Sequence, residues 1–269
     1  MRRCDRSWGP MPARRFKLPP ALDKVRGVIH RFGHRRAQAV RDWLGRKSAV
    51  GNGEIIASDA FPWVAELEAN WRVIRRELDA VMAMRADLPP IQDLSPIQYG
   101  INSDKTWKVF GLTAYGRAAP QNCARCPDTA RLLQSIPDLE VAFFSVLEPG
   151  AHISAHSGIY KGMIRAHLGL IVPEPREQVR MRVGGEMVFW EEGRCVVFDD
   201  TYRHEVWNDT DGVRVVLLID VPRPFPPVMA AINKAILAIA RASPVAGAVH
   251  RRQRAWEEAF YGARQGQAS

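Results

Sequence analysis

The sequence has little cysteine, almost no acid in its first fifty residues and no long apolar run. Its four cysteines, Cys4, Cys123, Cys126 and Cys195, are too few and too irregular for the disulfide framework of a small secreted domain. Cys123-Ala-Arg-Cys126 has the C-x-x-C spacing of redox and zinc sites, but no second C-x-x-C and no C-x-x-C-H follows. A structural zinc would need ligands from elsewhere, so the motif reads as a free thiol pair on a loop. No window reaches the roughly 18 uninterrupted apolar residues of a membrane-spanning helix. The nearest, Val228 to Val249, is broken by Asn233, Lys234 and Arg241 and suits an interfacial amphipathic helix better than a span. The basic N-terminus lacks the apolar core and small-residue cleavage site of a signal peptide. Internal repeats and low-complexity tracts are also missing.

Charge is unevenly placed. Residues 1–50 hold fourteen Lys/Arg against three Asp/Glu, and the rest of the chain holds 24 against 26. The net charge of +9 therefore describes an N-terminal arm rather than the body. Such an arm suits anionic lipid, nucleic acid or an acidic partner, or is a solvated tail. The body has no basic patch with interleaved aromatics, so nucleic acid is not the expected partner. Gly51-Asn-Gly53 marks a turn and a boundary. Three segments follow: a basic extension (1–50), a main domain (51–225) and a helical tail (226–269).

A weakly amphipathic helix is expected over Leu22 to Leu44. Trp63, Leu67, Trp71, Ile74, Leu78 and Val81 recur at three- and four-residue steps, which predicts one long helix with Asp59 as N-cap, Pro62 in its first turn and its Trp stripe in the core. From about Thr106 the texture turns to β. Trp107–Leu112, Val141–Leu147, Ile164–Ile171, Glu186–Phe189, Cys195–Phe198 and Val213–Val221 are short apolar runs separated by Gly/Pro/Asp clusters, the pattern of a sandwich or barrel. One helix, Asp128 to Ser135, interrupts them. After Pro227 a helical tail begins, breaks near Pro244 and resumes through Trp256.

Chemistry concentrates between Ser145 and Arg214. His156-Ser-Gly158 is followed by Arg165-Ala-His167, and Phe198-Asp-Asp-Thr-Tyr-Arg-His204 by Arg214. Each block is a histidine and then an arginine nine or ten residues on. A metal for oxygen chemistry takes imidazoles, and a dianion beside it takes guanidinium. Arg165 and Arg214 lie inside otherwise apolar strands, where a buried cation needs an anion. That anion is either a ligand or an Asp or Glu of the same domain. By alternation Arg165 and His167 share one strand face. The Asp199-Asp200 pair could complete a two-His-one-carboxylate triad, orient an imidazole or cap a turn.

The blocks Ser145-Val-Leu-Glu-Pro-Gly150, His156-Ser-Gly158, Arg165-Ala-His-Leu-Gly-Leu170, Trp190-Glu-Glu-Gly193, Phe198-Asp-Asp200, His204-Glu-Val-Trp207 and Val213-Arg214 resemble, in order and spacing, the aspartyl/asparaginyl β-hydroxylase family. That family includes vertebrate protein hydroxylases and bacterial enzymes that 2-hydroxylate a lipid A acyl chain. The resemblance covers roughly residues 55–225 and is specific. It implies a mainly β protein with flanking helices (α+β) around a double-stranded β-helix, a jelly-roll, cupin-like core. It implies a dioxygenase using Fe(II), 2-oxoglutarate and O2 to hydroxylate an unactivated C–H bond. The family holds iron through two histidines alone, matched here by His156 and His204. Gly158 stands where the facial-triad carboxylate is usual, so a water is expected there. Ser145, Arg165, His167 and Arg214 match the family's 2-oxoglutarate contacts, Arg214 with Ser145 on the distal carboxylate and Arg165 with His167 on the one near iron. Trp107 resembles a tryptophan lining the co-substrate pocket, with an ordinary core role as the alternative. Cys123 falls at a family cysteine position, but Cys126 is spaced differently from the second.

The substrate classes left open are a peptide Asp/Asn side chain, an amino acid and a lipid acyl chain. The basic arm and the 228–249 segment favour an anionic lipid. The expected location is cytoplasmic, with peripheral contact at the inner face of an anionic membrane through residues 1–50. The competing reading is an inactive β-helix binding module docked to an anionic surface by the same arm.

Overall fold

The computed structural model describes residues 34–95, 101–102 and 104–265. The arm before His34, with most of the helix expected over Leu22 to Leu44 and with Cys4, lies outside the described residues. Helix α1 (His34–Arg46) contains the point, Trp43/Leu44, at which the chain divides into two compact units, Met1–Trp43 and Leu44–Ser269.

The second unit opens with strand β1 (Ile55–Ile56) and helices α2 (Pro62–Ala69) and α3 (Trp71–Met82). These two replace the single long helix expected from the sequence. The break is at Asn70, whose side chain donates to the Glu66 carbonyl at 2.8 Å. It thereby closes the last turn of α2, as short amides do at helix ends. Asp59 is not the cap: it lies in a 3-10 turn, and Phe61 holds the N-cap position without a side-chain bond. The apolar stripe itself is core, because Trp63, Leu67, Ile74, Leu78 and Val81 are buried.

Short helix α4 (Ile91–Leu94), strands β2 (Trp107–Ala114) and β3 (Arg117–Ala118) and helices α5 (Pro120–Arg125) and α6 (Pro127–Gln134) come next. Eight strands then complete the β body: β4 (Val141–Leu147), β5 (His152–His156), β6 (Met163–Ile171), β7 (Val179–Val183), β8 (Glu186–Phe189), β9 (Cys195–Phe198), β10 (His204–Asn208) and β11 (Arg214–Pro222). Helices α7 (Pro227–Arg241) and α8 (Pro244–Gln265) end the chain.

The strands form two antiparallel sheets, β1-β9-β6-β11-β4-β2-β3 and β5-β10-β7-β8. From β4 to β11 the chain crosses between the sheets at every step except the β7–β8 hairpin, which stays in the smaller sheet; this is the order of a double-stranded β-helix, a jelly roll. Strand alternation gives the larger sheet two different faces. Ala142, Phe144 and Val146 of β4, Ile164, Ala166 and Leu168 of β6 and Val215, Leu217 and Ile219 of β11 form one core with α2, α3 and α6. The intervening residues, Ser145, Arg165, His167, Arg214, Val216 and Asp220, take the other face, toward the smaller sheet. There Ile153, Val179, Met181, Val183 and Val206 make a second core with Trp107, Leu147, Trp190 and Phe198.

The C-x-x-C pair sits at the junction of α5 and α6, not on a loop. Both thiols are free. Cys126 is fully buried, and burial pushes its thiol up to about 12, with Glu77 adding to the effect. Such a thiol is a core filler.

Candidate active site

His156 ends β5 and His204 begins β10, and the two strands pair with these residues in register. Their ring centroids are 4.1 Å apart. In each ring Nδ1 meets a backbone carbonyl two residues upstream: Ser154 at 2.8 Å for His156 and Tyr202 at 3.0 Å for His204. A carbonyl only accepts, so each Nδ1 carries the proton and each Nε2 keeps its lone pair. Burial lowers the pKa of both rings, that of His204 to about 3, with His156 and Arg165 adding to the effect. Two neutral, pre-oriented imidazoles are the donor set of a divalent first-row transition ion. No group of three His, Cys, Asp or Glu side chains placed to hold a metal occurs among the described residues.

Gly158 explains the missing third. A Cβ at this position would overlap the Asp200 carboxylate, and the Gly158 amide donates to the Asp200 carbonyl at 2.7 Å. The carboxylate beside residue 158 is thus delivered from the turn after β9. Burial raises the Asp200 pKa to about 6, against the pull of Arg165.

The two arginines, so alike in sequence, differ in the fold. Arg165 lies opposite Asp220 in the β6–β11 ladder and grips it with two bonds of 2.7 and 2.8 Å, while Asp200 lies 3.3 Å away. Burial opposes its charge, but the two carboxylates prevail and hold its pKa above the ordinary arginine value. Of the readings left open by sequence, pairing within the domain holds at Arg165, with its Nε and Nη2 occupied by Asp220.

Arg214 has no such partner. It is 1% exposed. Its Nη1 lies 3.3 Å from both the carbonyl oxygen and Oγ of Ser145, its guanidinium carbon lies 4.8 Å from the Trp190 ring centroid, and its Nε has no hydrogen bond. No carboxylate lies in ion-pair range among the described residues, and burial lowers its pKa to about 9. A buried, unneutralised guanidinium is costly in isolation, and its chemistry suits an anionic ligand. Ser145 Oγ also accepts from Trp107 Nε1 at 2.9 Å; the Trp107 ring itself is buried in the second core. His167 completes the polar set: both its ring nitrogens are buried without a partner. Burial, with Arg214 and Arg165 nearby, pushes its pKa well below the usual value.

Sequence reading left Trp190 without a role and Asp199 with three. Trp190 is buried and packs on His167 and Arg214. Asp199 is structural: it accepts from Thr201 N at 3.0 Å and Thr201 Oγ1 at 2.6 Å and ion-pairs with Lys161 and Arg223, all buried. The sequence neighbours of Trp190, Val188-Phe189 before it and Glu191-Glu192 after it, carry no signal for its role, which only the fold assembles.

The chain is also similar to known proteins. Residues 68–224 match the family model described as Aspartyl/Asparaginyl beta-hydroxylase. The ornithine lipid ester-linked acyl 2-hydroxylase of Rhizobium tropici is 40% identical over 212 residues, covering 79% of this chain and 75% of that protein. The human aspartyl/asparaginyl beta-hydroxylase is 33% identical over 229 residues, 78% of this chain but 29% of that much longer protein. A prolyl-4-hydroxylase from Pseudomonas putida aligns over 58% of this chain and 88% of its own at 20% identity and a TM-score of 0.38; the jelly-roll assignment rests on the strand order. With the paired histidines, the glycine beside them and the unneutralised arginine all in place, the chain belongs to the aspartyl/asparaginyl β-hydroxylase family.

Proposed function

We propose that this protein is an Fe(II)- and 2-oxoglutarate-dependent dioxygenase that hydroxylates a C–H bond of a lipid acyl chain. The observation that carries the oxygenase part is the buried Arg214 guanidinium, without a carboxylate, in the same inter-sheet space as two imidazoles whose Nε2 lone pairs are free to bind a metal. The lipid part is supported by the similarity to an acyl 2-hydroxylase over three-quarters of that protein's length.

His156 and His204 would hold the iron, which when bound supplies the oxidising power for inserting one atom of O2 while 2-oxoglutarate is decarboxylated to succinate and CO2. The protein's residues do the rest. Arg214, with the Ser145 hydroxyl fixed by Trp107, meets the distal carboxylate of 2-oxoglutarate in a dry pocket where a charge-assisted bond is strong. His167, neutral at physiological pH, offers one donor and one acceptor to the bound co-substrate. Arg165 holds Asp200 beside the histidines, so that a carboxylate adjoins the metal position without a side chain at residue 158. Trp190 and Phe198 exclude water beneath it.

The test is anaerobic titration of the protein with Fe(II) and 2-oxoglutarate, following the weak visible absorption of the chelated 2-oxo acid. Wild type is expected to develop the band, and His204→Ala and Arg214→Ala to lose or weaken it. A folded, metal-loaded wild type with no band would leave the inactive binding module as the better account.

A further inference from the structure

Helix α7 is inside out. Its buried residues are Asn233 and Leu237, while Val228, Ile232, Ile236 and Ile239 are 74%, 48%, 41% and 73% exposed. These four recur at four-, four- and three-residue steps and form one stripe. Ala231, Ala235 and Ala238 are also exposed, and Lys234 is the sole charged residue on the helix before Arg241. Scattered surface apolar side chains are ordinary; a continuous stripe bought by burying an asparagine is not.

Asn233 shows where that stripe is held. Its amide donates to the Gly162 carbonyl at 2.9 Å and its oxygen accepts from the Tyr160 hydroxyl at 2.6 Å. Both partners lie on the loop between β5 and β6, directly after the metal-site residues His156 and Gly158. The same loop carries Ile159, which is 82% exposed. The first half of α7 is therefore tied to the loop that follows His156 and carries Ile159. Charge points to the partner. From Pro227 through Arg254 the chain has five Lys/Arg and no Asp or Glu; of the five, Arg241 is held by Glu140 at 2.7 Å. Lys234 has a contact to Asp138 at 3.4 Å, but both are largely exposed, so this pair is weak. No single described helix is long and apolar enough to cross a membrane; an apolar stripe with basic flanks is the pattern of a helix lying in the interface of an anionic bilayer.

We infer that α7 and Ile159 dock the protein on an anionic lipid bilayer, placing the mouth of the active site against the membrane so that an acyl chain reaches the histidines without crossing water. The purpose of this docking rests on the acyl-chain reading above, but its test does not. The full chain would be sedimented with vesicles of phosphatidylcholine containing roughly one-third phosphatidylglycerol, at low salt and at about 0.5 M salt, where contacts of a purely electrostatic arm are screened. The comparison is with Ile232→Glu/Ile236→Glu/Ile239→Glu, whose positions are exposed and outside the catalytic set. Thermal melting with and without 2-oxoglutarate would be followed for both proteins.

Wild type is expected to partition to vesicles at both salt concentrations. The triple variant is expected to partition at least about tenfold less while melting, and responding to 2-oxoglutarate, as wild type does. Equal partitioning of the two proteins, or binding of wild type only at low salt, would overturn the inference and leave any attachment to the basic arm. So would self-association of wild type that the triple variant abolishes without any vesicle binding, which would mean that a second copy covers the stripe. A wild type that binds vesicles but gives no 2-oxoglutarate response would uphold the docking and sink the oxygenase reading alone.

Discussion

Arg214 places Nη1 3.3 Å from both the main-chain carbonyl oxygen and the hydroxyl of Ser145, and no described carboxylate neutralises it. Arg165, from an equally apolar strand, is held by Asp220 and Asp200. The first arginine is therefore available to a ligand, and the second is committed to the fold.

Arg214→Met tests that division. It removes an uncompensated buried charge and fills the space with an apolar chain, so the ligand-free variant is expected to melt no lower than wild type. Its affinity for 2-oxoglutarate should fall about a hundredfold or more, the loss expected for a desolvated charge-assisted contact. Arg165→Met should do the opposite to the fold, lowering the melting temperature by stranding two acids. Thermal melts across a 2-oxoglutarate titration measure both effects.

Gly158 and Asp200 make a second, reciprocal prediction. Because a Cβ at residue 158 would displace the Asp200 carboxylate, Gly158→Asp should weaken metal binding instead of completing a triad. Gly158→Asp combined with Asp200→Gly should recover more metal affinity than either single variant, because one carboxylate then occupies the space without a clash. Metal titrations of the four proteins give the coupling directly.

Asp199 neutralises Lys161 and Arg223, and the exposures of the three are 0%, 4% and 2%. Asp199→Asn leaves two buried cations to one amide. It should destabilise the protein by about 3–5 kcal/mol, as removing one partner of a buried pair does. Urea unfolding checks this, and 2-oxoglutarate affinity per folded molecule should be unchanged.

The metal-free protein should also be acid-sensitive. The folded pKa values of His156, His167 and His204 are all lowered, chiefly by burial. Below the unfolded histidine value of about 6.5, the unfolded chain binds protons that the native one does not, so stability falls as pH drops. The slope is at most about 1.4 kcal/mol per pH unit for each histidine. Asp200, raised to about 6, acts in the reverse sense between its unfolded value near 4 and 6 and offsets part of this. Melting temperatures should decline from pH 6.5 downward, and His167→Gln should make the decline shallower.

Much of this was legible in the sequence, for physical reasons that differ by element. Strands β4, β8 and β9 are found at their expected bounds because their apolar runs end at Gly, Pro or Asp clusters. Strands β5 and β10 went unseen because His-Ile-Ser-Ala-His and His-Glu-Val-Trp-Asn spend their outward positions on polar residues and their ends on the site. Strand β7, Val-Arg-Met-Arg-Val, alternates cleanly but lacks the continuous apolar run that marks β4 and β9. The pairing of His156 with His204 was expected from the family motif, and their register supplies the geometry. The split between Arg165 and Arg214 was not legible, because Asp220 meets Arg165 across a strand ladder that no local pattern announces. Nor was the inverted face of α7, where burial reverses what hydropathy suggests.

The most direct test of the central claim is mass spectrometry of lipid after incubation with the protein, Fe(II), 2-oxoglutarate and 18O2. Anionic bacterial lipids and ornithine lipid with saturated acyl chains would be supplied in vesicles, with succinate measured alongside. The account predicts one 18O atom in an acyl fragment, in proportion to succinate, and neither product with Arg214→Met or His204→Ala. Succinate formed without any labelled acyl chain, together with label on a peptide Asp or Asn offered in its place, would contradict the lipid assignment. No succinate with any substrate would contradict the oxygenase itself.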